Sequence, residues 1–106
     1  MKPQPKIDAR EQVAKILQAA LKLASNGGRS YNSLSRDDIA RECGFASSSL
    51  ITHHMGTMEA LRRDIMREAI RVECLPVIAQ GLVIRDRHAR KAPDALKAKA
   101  LQAVAA

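Results

Sequence analysis

SRDDIARECGFASSSLITHH, residues 35–54, is the stretch whose reading decides the fold. Ser35 is a good helix N-cap, because its hydroxyl can accept an amide hydrogen that the first turn leaves unpaired. Asp37 and Asp38 put negative charge in that turn, where the helix dipole favours it, and Asp38 stands where it can close a capping box with Ser35. Ile39 and Ala40 fall mid-way along this short helix and Cys43 closes it. Gly44 turns the chain, supplying a positive φ that a residue with a Cβ resists. Phe45 then re-enters the core, and a second short helix opens with Ala46-Ser47-Ser48-Ser49 and carries Leu50 on its inward face. Ala40 has to be small because the second helix crosses close over it. Ile39, Cys43, Phe45 and Leu50 are expected to hold the pair at the steep angle of a helix-turn-helix, with the second helix standing out to enter a DNA major groove. The serines either cap that helix alone or offer short hydroxyls to phosphate oxygens and base edges.

Outward from this centre, apolar residues recur at helical spacing. Val13, Ile16, Leu17, Ala20, Leu21 and Ala24 form one stripe on a helix predicted over Asp8–Ser25, stopped by Asn26-Gly27-Gly28. Tyr31 is expected to anchor the loop Arg29–Leu34 against the core. Gly56 and Thr57 mark the next break, with Thr57 as N-cap of a helix over Met58–Cys74 whose inward residues are Leu61, Ile65, Met66, Ala69, Ile70 and Val72. Pro76 breaks or restarts that helix, Arg85–Lys91 is a polar basic link, and Pro93 suits the first turn of a last helix ending near Val104. Its narrow apolar face is Leu96, Ala100, Leu101 and Val104. The expected fold class is all-α: a flexible arm at 1–7, a three-helix helix-turn-helix domain at 8–57, and two or three short C-terminal helices at 58–106.

Pro76–Ile84, PVIAQGLVI, is strongly apolar for its length. A chain of 106 residues buries roughly two-thirds of its unfolded surface. Val77, Ile78, Leu82, Val83 and Ile84 are therefore not all expected to face its core. Val77, Ile78, Leu82 and Val83 are read as a homodimer contact, with a last buried core helix as the other reading.

Net charge is +7 and pI near 10, which points to a polyanionic partner, nucleic acid before membrane. The excess lies in the flanks: residues 1–34 and 83–106 each carry six Lys/Arg against two acids, whereas residues 35–82 carry six against seven. Phosphate contact and its salt dependence are thus expected largely from the flanks. Tyr31 and Phe45 are the only aromatic residues besides histidine, which argues against stacking on single strands. Cys43 and Cys74 have no metal-ligand spacing and read as reduced core residues. His53 and His54 are adjacent and point about 100° apart on a helix, a poor arrangement for one metal. No nucleophile–base–acid set or glycine-rich phosphate loop stands out, so neither an enzyme nor a cofactor is expected. Residues 1–6 have no apolar signal segment and no run reaches membrane-spanning length, so the expected location is cytoplasmic, on the nucleoid.

AREQVAKILQAALKLASNGG, DIARECGF and HHMGTMEAL together resemble the N-terminal DNA-binding domain of the TetR family of bacterial repressors over Arg10–Leu61, about half the chain. The resemblance implies a recognition helix of about Ser47 to His54, with Ser47, Ser48, Ser49, Thr52 and His53 exposed to DNA. It implies that Thr57 and the amides near Met58 meet phosphate at a helix N-terminus. Arg29, Arg36 and Arg41, with Lys2, Lys6 and Arg10, are candidate backbone contacts. The chain departs from the family pattern in three ways: one extra residue between Gly44 and His53-His54, no lysine near Met58, and only residues 62–106 beyond the match. That remainder is too short to enclose a drug-sized pocket, so no small-molecule effector is expected. The reading is a sequence-specific duplex-DNA regulator, a repressor acting as a homodimer on an inverted repeat. Its rivals are a non-specific architectural DNA protein and a protein-interaction adaptor or inhibitor.

Overall fold

The computed structural model describes residues 9–26 and 30–105. Among them the chain is all-helical: α1 (Ala9–Asn26), α2 (Arg36–Cys43), α3 (Ser49–Met55), α4 (Met58–Arg71), α5 (Leu75–Val83) and α6 (Asp94–Ala105), with 3-10 turns at Tyr31–Ser33 and Ala89–Lys91. No described helix is long and apolar enough to cross a membrane. Residues 1–7, the Gly27-Gly28 stop and Arg29 lie outside the described residues.

α1 buries Ile16, Leu17, Ala20, Leu21 and Ala24 together with Ala19, the face set by their three- and four-residue spacing. α2 starts on a complete capping box. The Ser35 hydroxyl accepts from the Asp38 amide at 3.0 Å and the Asp38 carboxylate accepts from the Ser35 amide at 3.0 Å. It ends at Gly44, whose φ of 78° is left-handed; the Gly44 amide donates to the Arg41 carbonyl and the Phe45 amide to that of Ala40.

α3 begins three residues later than expected. The Ser47 hydroxyl accepts from the Ser49 amide, so Ser47 and Ser48 belong to the turn and helical bonding starts with Thr52 donating to the Ser48 carbonyl. Leu50, expected inward, is 40% exposed, and Ile51 and Met55 are buried in its place. One residue of helical register is about 100° of rotation, enough to exchange Leu50 for Ile51.

α4, α5 and α6 run up, down and up. The Cys74 amide donates to the Ala69 carbonyl, Gly81 meets Met66, and Arg87 reaches Glu59, so α5 returns antiparallel along α4. Lys99 near Glu73 shows α6 ascending again towards the end of α4. Val72 is exposed rather than inward, because α4 ends at Arg71 and the chain reverses through Glu73 in a left-handed conformation. Pro76 sits in the first turn of α5, where its missing amide hydrogen costs nothing. α6 begins at Asp94, one residue after Pro93, and buries Leu96 and Ala100, whereas Leu101 is exposed.

The proposed dimer residues need correction here. Val77 and Ile78 are fully buried inside this chain, with Ala79 beside them, and Leu82 is half-buried against the same core. Packing α5 between α4 and α6 supplies more interior than the chain length suggested. Only Val83, 70% exposed, and Ile84 project outward.

Candidate nucleic-acid interface

The turn between α2 and α3 is fastened to α1 at three points. Lys15 Nζ lies 5.5 Å from the centre of the Phe45 ring, the Cys43 thiol lies 3.8 Å from the Lys15 carbonyl oxygen, and Lys22 pairs with Glu42 at 3.1 Å. Burial pushes the Cys43 thiol pKa up, which keeps it protonated and inert. Ile39 and Ala40 of α2 and Ile51 and Met55 of α3 are buried in the same core. The opposite side of α3 is thereby turned outward. Ser47, Ser49, Leu50, Thr52 and His53 are exposed, and Ser48 and His54 partly so. The His53 and His54 rings meet edge to face with centroids 5.0 Å apart. No Lys, Arg, Asp or Glu occurs between Gly44 and Met58, so this surface carries hydroxyls, imidazoles and one leucine.

Charge borders it. Gly56 turns the chain with φ 76°, and the Thr57 hydroxyl caps α4 by accepting from the Ala60 amide at 3.1 Å. Arg36 reaches from the first turn of α2 to the Gly56 carbonyl, Nη2 to O 3.2 Å, tying the start of α2 to the turn after α3. Its Nε is buried without a protein partner. Arg36 lines a polar groove of about 540 Å³ with Ser33, Ser35, Ser48, Met58 and Arg62. Arg41 is exposed in the last turn of α2. Arg10 lies elsewhere, in an apolar hollow with Val13, Leu17, Glu68 and Arg71 at the far end of α4 from Thr57. Arg29, Lys2 and Lys6 are outside the described residues.

Arg62 was not among the residues singled out from the sequence. Its only signal there is its place one turn after Met58, and that is informative only once the orientation of α4 is known. The segment between α5 and α6 reads in the sequence as a polar basic link within a flank expected to contact phosphate, with no fold of its own. Asp86 accepts a hydrogen bond from the Tyr31 hydroxyl at 2.6 Å, and Arg87 pairs with Glu59 at 3.1 Å. Tyr31 is buried as expected, and its amide donates to Gln80 Oε1, while Gln80 Nε2 donates to the Ala24 carbonyl. Burial first, and the Asp86 carboxylate second, push the Tyr31 phenol pKa up. Among the described residues no three His, Cys, Asp or Glu side chains gather where they could hold a metal ion. Compared with family models, curated proteins and solved structures, the chain matches none.

Proposed function

We propose that this protein is a sequence-specific duplex-DNA-binding regulator of transcription, with a TetR-like helix-turn-helix in α1–α3, acting as a homodimeric repressor on an inverted-repeat operator. The observation that carries the reading is the outward face of α3. It presents Ser49, Thr52 and His53, with Ser47 in the turn before it, on a helix locked from behind by Ile51 and Met55. Hydroxyls and imidazole suit base edges, and Leu50 suits a thymine methyl group. Arg36 and Arg62 line a groove with Ser48 at the start of α3, where phosphates flank a groove-bound helix, and Arg41 is exposed at the end of α2. The Thr57 hydroxyl is engaged by its own helix, so a phosphate there would be met by the amides of the first turn of α4. Dimerisation shifts to Val83 and Ile84, the apolar residues of the α5 end that the core leaves outside.

The test is selection of duplexes from a random pool, repeated with Ser49→Glu and Thr52→Glu combined. Both sites are exposed, so the variant should fold. The wild type is expected to enrich an inverted repeat with half-sites about one helical turn apart, and the variant to lose binding by about 100-fold or more because two carboxylates then oppose the phosphates. Undiminished binding by the variant would remove α3 from the interface. Enrichment of unrelated duplexes would favour an architectural role, and no retained DNA would favour a protein-interaction adaptor.

A further inference from the structure

The link between α5 and α6 is a folded, charged loop, and three observations fix where it lies. First, α5 descends antiparallel to α4, which returns the chain after Ile84 to the end of α4 that follows α3. Second, the loop is pinned on both sides of that end. Asp86 is held by the Tyr31 hydroxyl in the 3-10 turn that precedes α2, and Arg87 is held by Glu59 in the first turn of α4. Third, Ala89 is fully buried against α5, so the 3-10 turn Ala89–Lys91 is part of the core packing.

The acids near the loop are engaged. Asp86 accepts from the Tyr31 hydroxyl and from the His88 amide, and Glu59 accepts from Arg87. The cations are not neutralised in the same way. Arg85, Arg90 and Lys91 are exposed, and among the described residues no carboxylate pairs with any of them. Arg87 itself is largely exposed in its pair, and an exposed pair of this kind is weak enough to exchange for a phosphate. Arg62 lines the groove at the start of α4 with Arg36 and Asp37. Arg36, Arg62 and Arg87 thus lie along the first turns of α4, with Asp37, Glu59 and Asp86 among them, and the turn Ala89–Lys91 follows at the level of Met66.

We infer that the loop 85–91 is a second DNA contact, in which Arg85, Arg90 and Lys91 bind phosphates of the backbone next to the groove occupied by α3. The inference rests on the DNA-binding reading above, and it concerns residues beyond the segment Arg10–Leu61. The contact is to phosphate, so it adds affinity and salt dependence without reading bases.

The experiment compares the full chain with an Arg85→Gln/Arg90→Gln/Lys91→Gln triple variant on the enriched duplex, by fluorescence anisotropy across a salt series. All three sites are exposed, and an unchanged melting temperature verifies folding. Each lost phosphate contact lowers the salt slope by about 0.9. The expected result is a slope reduced by roughly 2–3 and affinity about 100-fold weaker near 0.1 M salt. Preference for the enriched duplex over a scrambled one should not change. Lysine at 85 and 90, with Lys91 retained, should keep the wild-type slope, because the charges remain. A triple variant with wild-type slope and affinity overturns the inference while leaving the α3 reading intact. A wild type that binds no duplex overturns both. A triple variant that loses binding to phosphatidylserine vesicles but keeps its DNA affinity overturns the inference in favour of a membrane-facing loop.

Discussion

Gly81→Ala tests the packing that holds the basic loop in place. Gly81 faces α4 and the 3-10 turn at once. A Cβ there would stand 2.5 Å from Met66 Cε and 2.6 Å from Ala89 Cβ. Apolar carbons pack at about 3.5–4.0 Å, so each contact is short by about 1 Å. The two clashes are unequal. Met66 Cε ends a flexible side chain and can swing aside, although Met66 is fully buried and its neighbours must yield. Ala89 Cβ is attached directly to the backbone, so relief there requires moving the turn Ala89–Lys91 away from α5. Overpacking of this kind costs about 1–3 kcal/mol, and replacing glycine by alanine in a helix interior returns about 1 kcal/mol. The net loss is about 0–2 kcal/mol, a fall in melting temperature of up to roughly 15 °C for a domain of this size.

The assay is thermal and urea unfolding followed by circular dichroism. Adding Ala89→Gly to the Gly81→Ala chain removes the rigid half of the clash. The pair should therefore be more stable than the sum of the single changes by about 1 kcal/mol, the signature of direct contact. A Gly81→Ala protein as stable as the wild type or more so, with no coupling to position 89, would refute the close approach of α5 to the turn. It would also remove the physical basis for holding the loop 85–91 beside α4.

Two further outcomes follow from the same structure. The raised pKa of Tyr31 means the folded chain keeps a proton that the unfolded chain loses near pH 10. Its stabilising contribution is therefore full below about pH 10 and is lost as pH rises above that towards the folded value. Tyr31 is the only tyrosine, so tyrosinate absorbance should rise together with alkaline unfolding, and Tyr31→Phe should flatten that part of the stability curve. Tyrosinate forming near pH 10 in a still-folded protein would contradict the burial. Separately, Val83→Asp with Ile84→Asp should give a folded monomer in sedimentation, whereas Ile78→Asp should unfold the chain because Ile78 is fully buried. A dimer that survives the double change would place its interface elsewhere.

The features legible in the sequence share one property: each is settled within a few residues of itself. The capping box of Ser35 and Asp38, the left-handed Gly44, the buried stripe of α1, the Thr57 cap and the proline in the first turn of α5 depend on local hydrogen bonding and on the 3.6-residue repeat. The apolar density of Pro76–Ile84 was visible too, but its destination was not. Burial of Val77 and Ile78 depends on α5 lying between α4 and α6, helices separated from one another by more than twenty residues.

The candidate interface divides in the same way. Polar residues between Gly44 and Met58, and their place after a glycine turn, are properties of the chain alone. The exchange of Leu50 for Ile51 as the inward residue was decided by how α3 is set against the core, since adjacent residues on a helix point about 100° apart. The groove of Arg36 and Arg62 and the anchored loop at 85–91 were decided by tertiary packing, because they join residues 20 to 55 positions apart. Sequence by itself determined an all-helical chain, its caps and its principal turn, since those are local energies. Only the tertiary structure decided which apolar residues of Pro76–Ile84 remain exposed and which cations line the groove at the start of α3, since both depend on how α4, α5 and α6 fold back on one another.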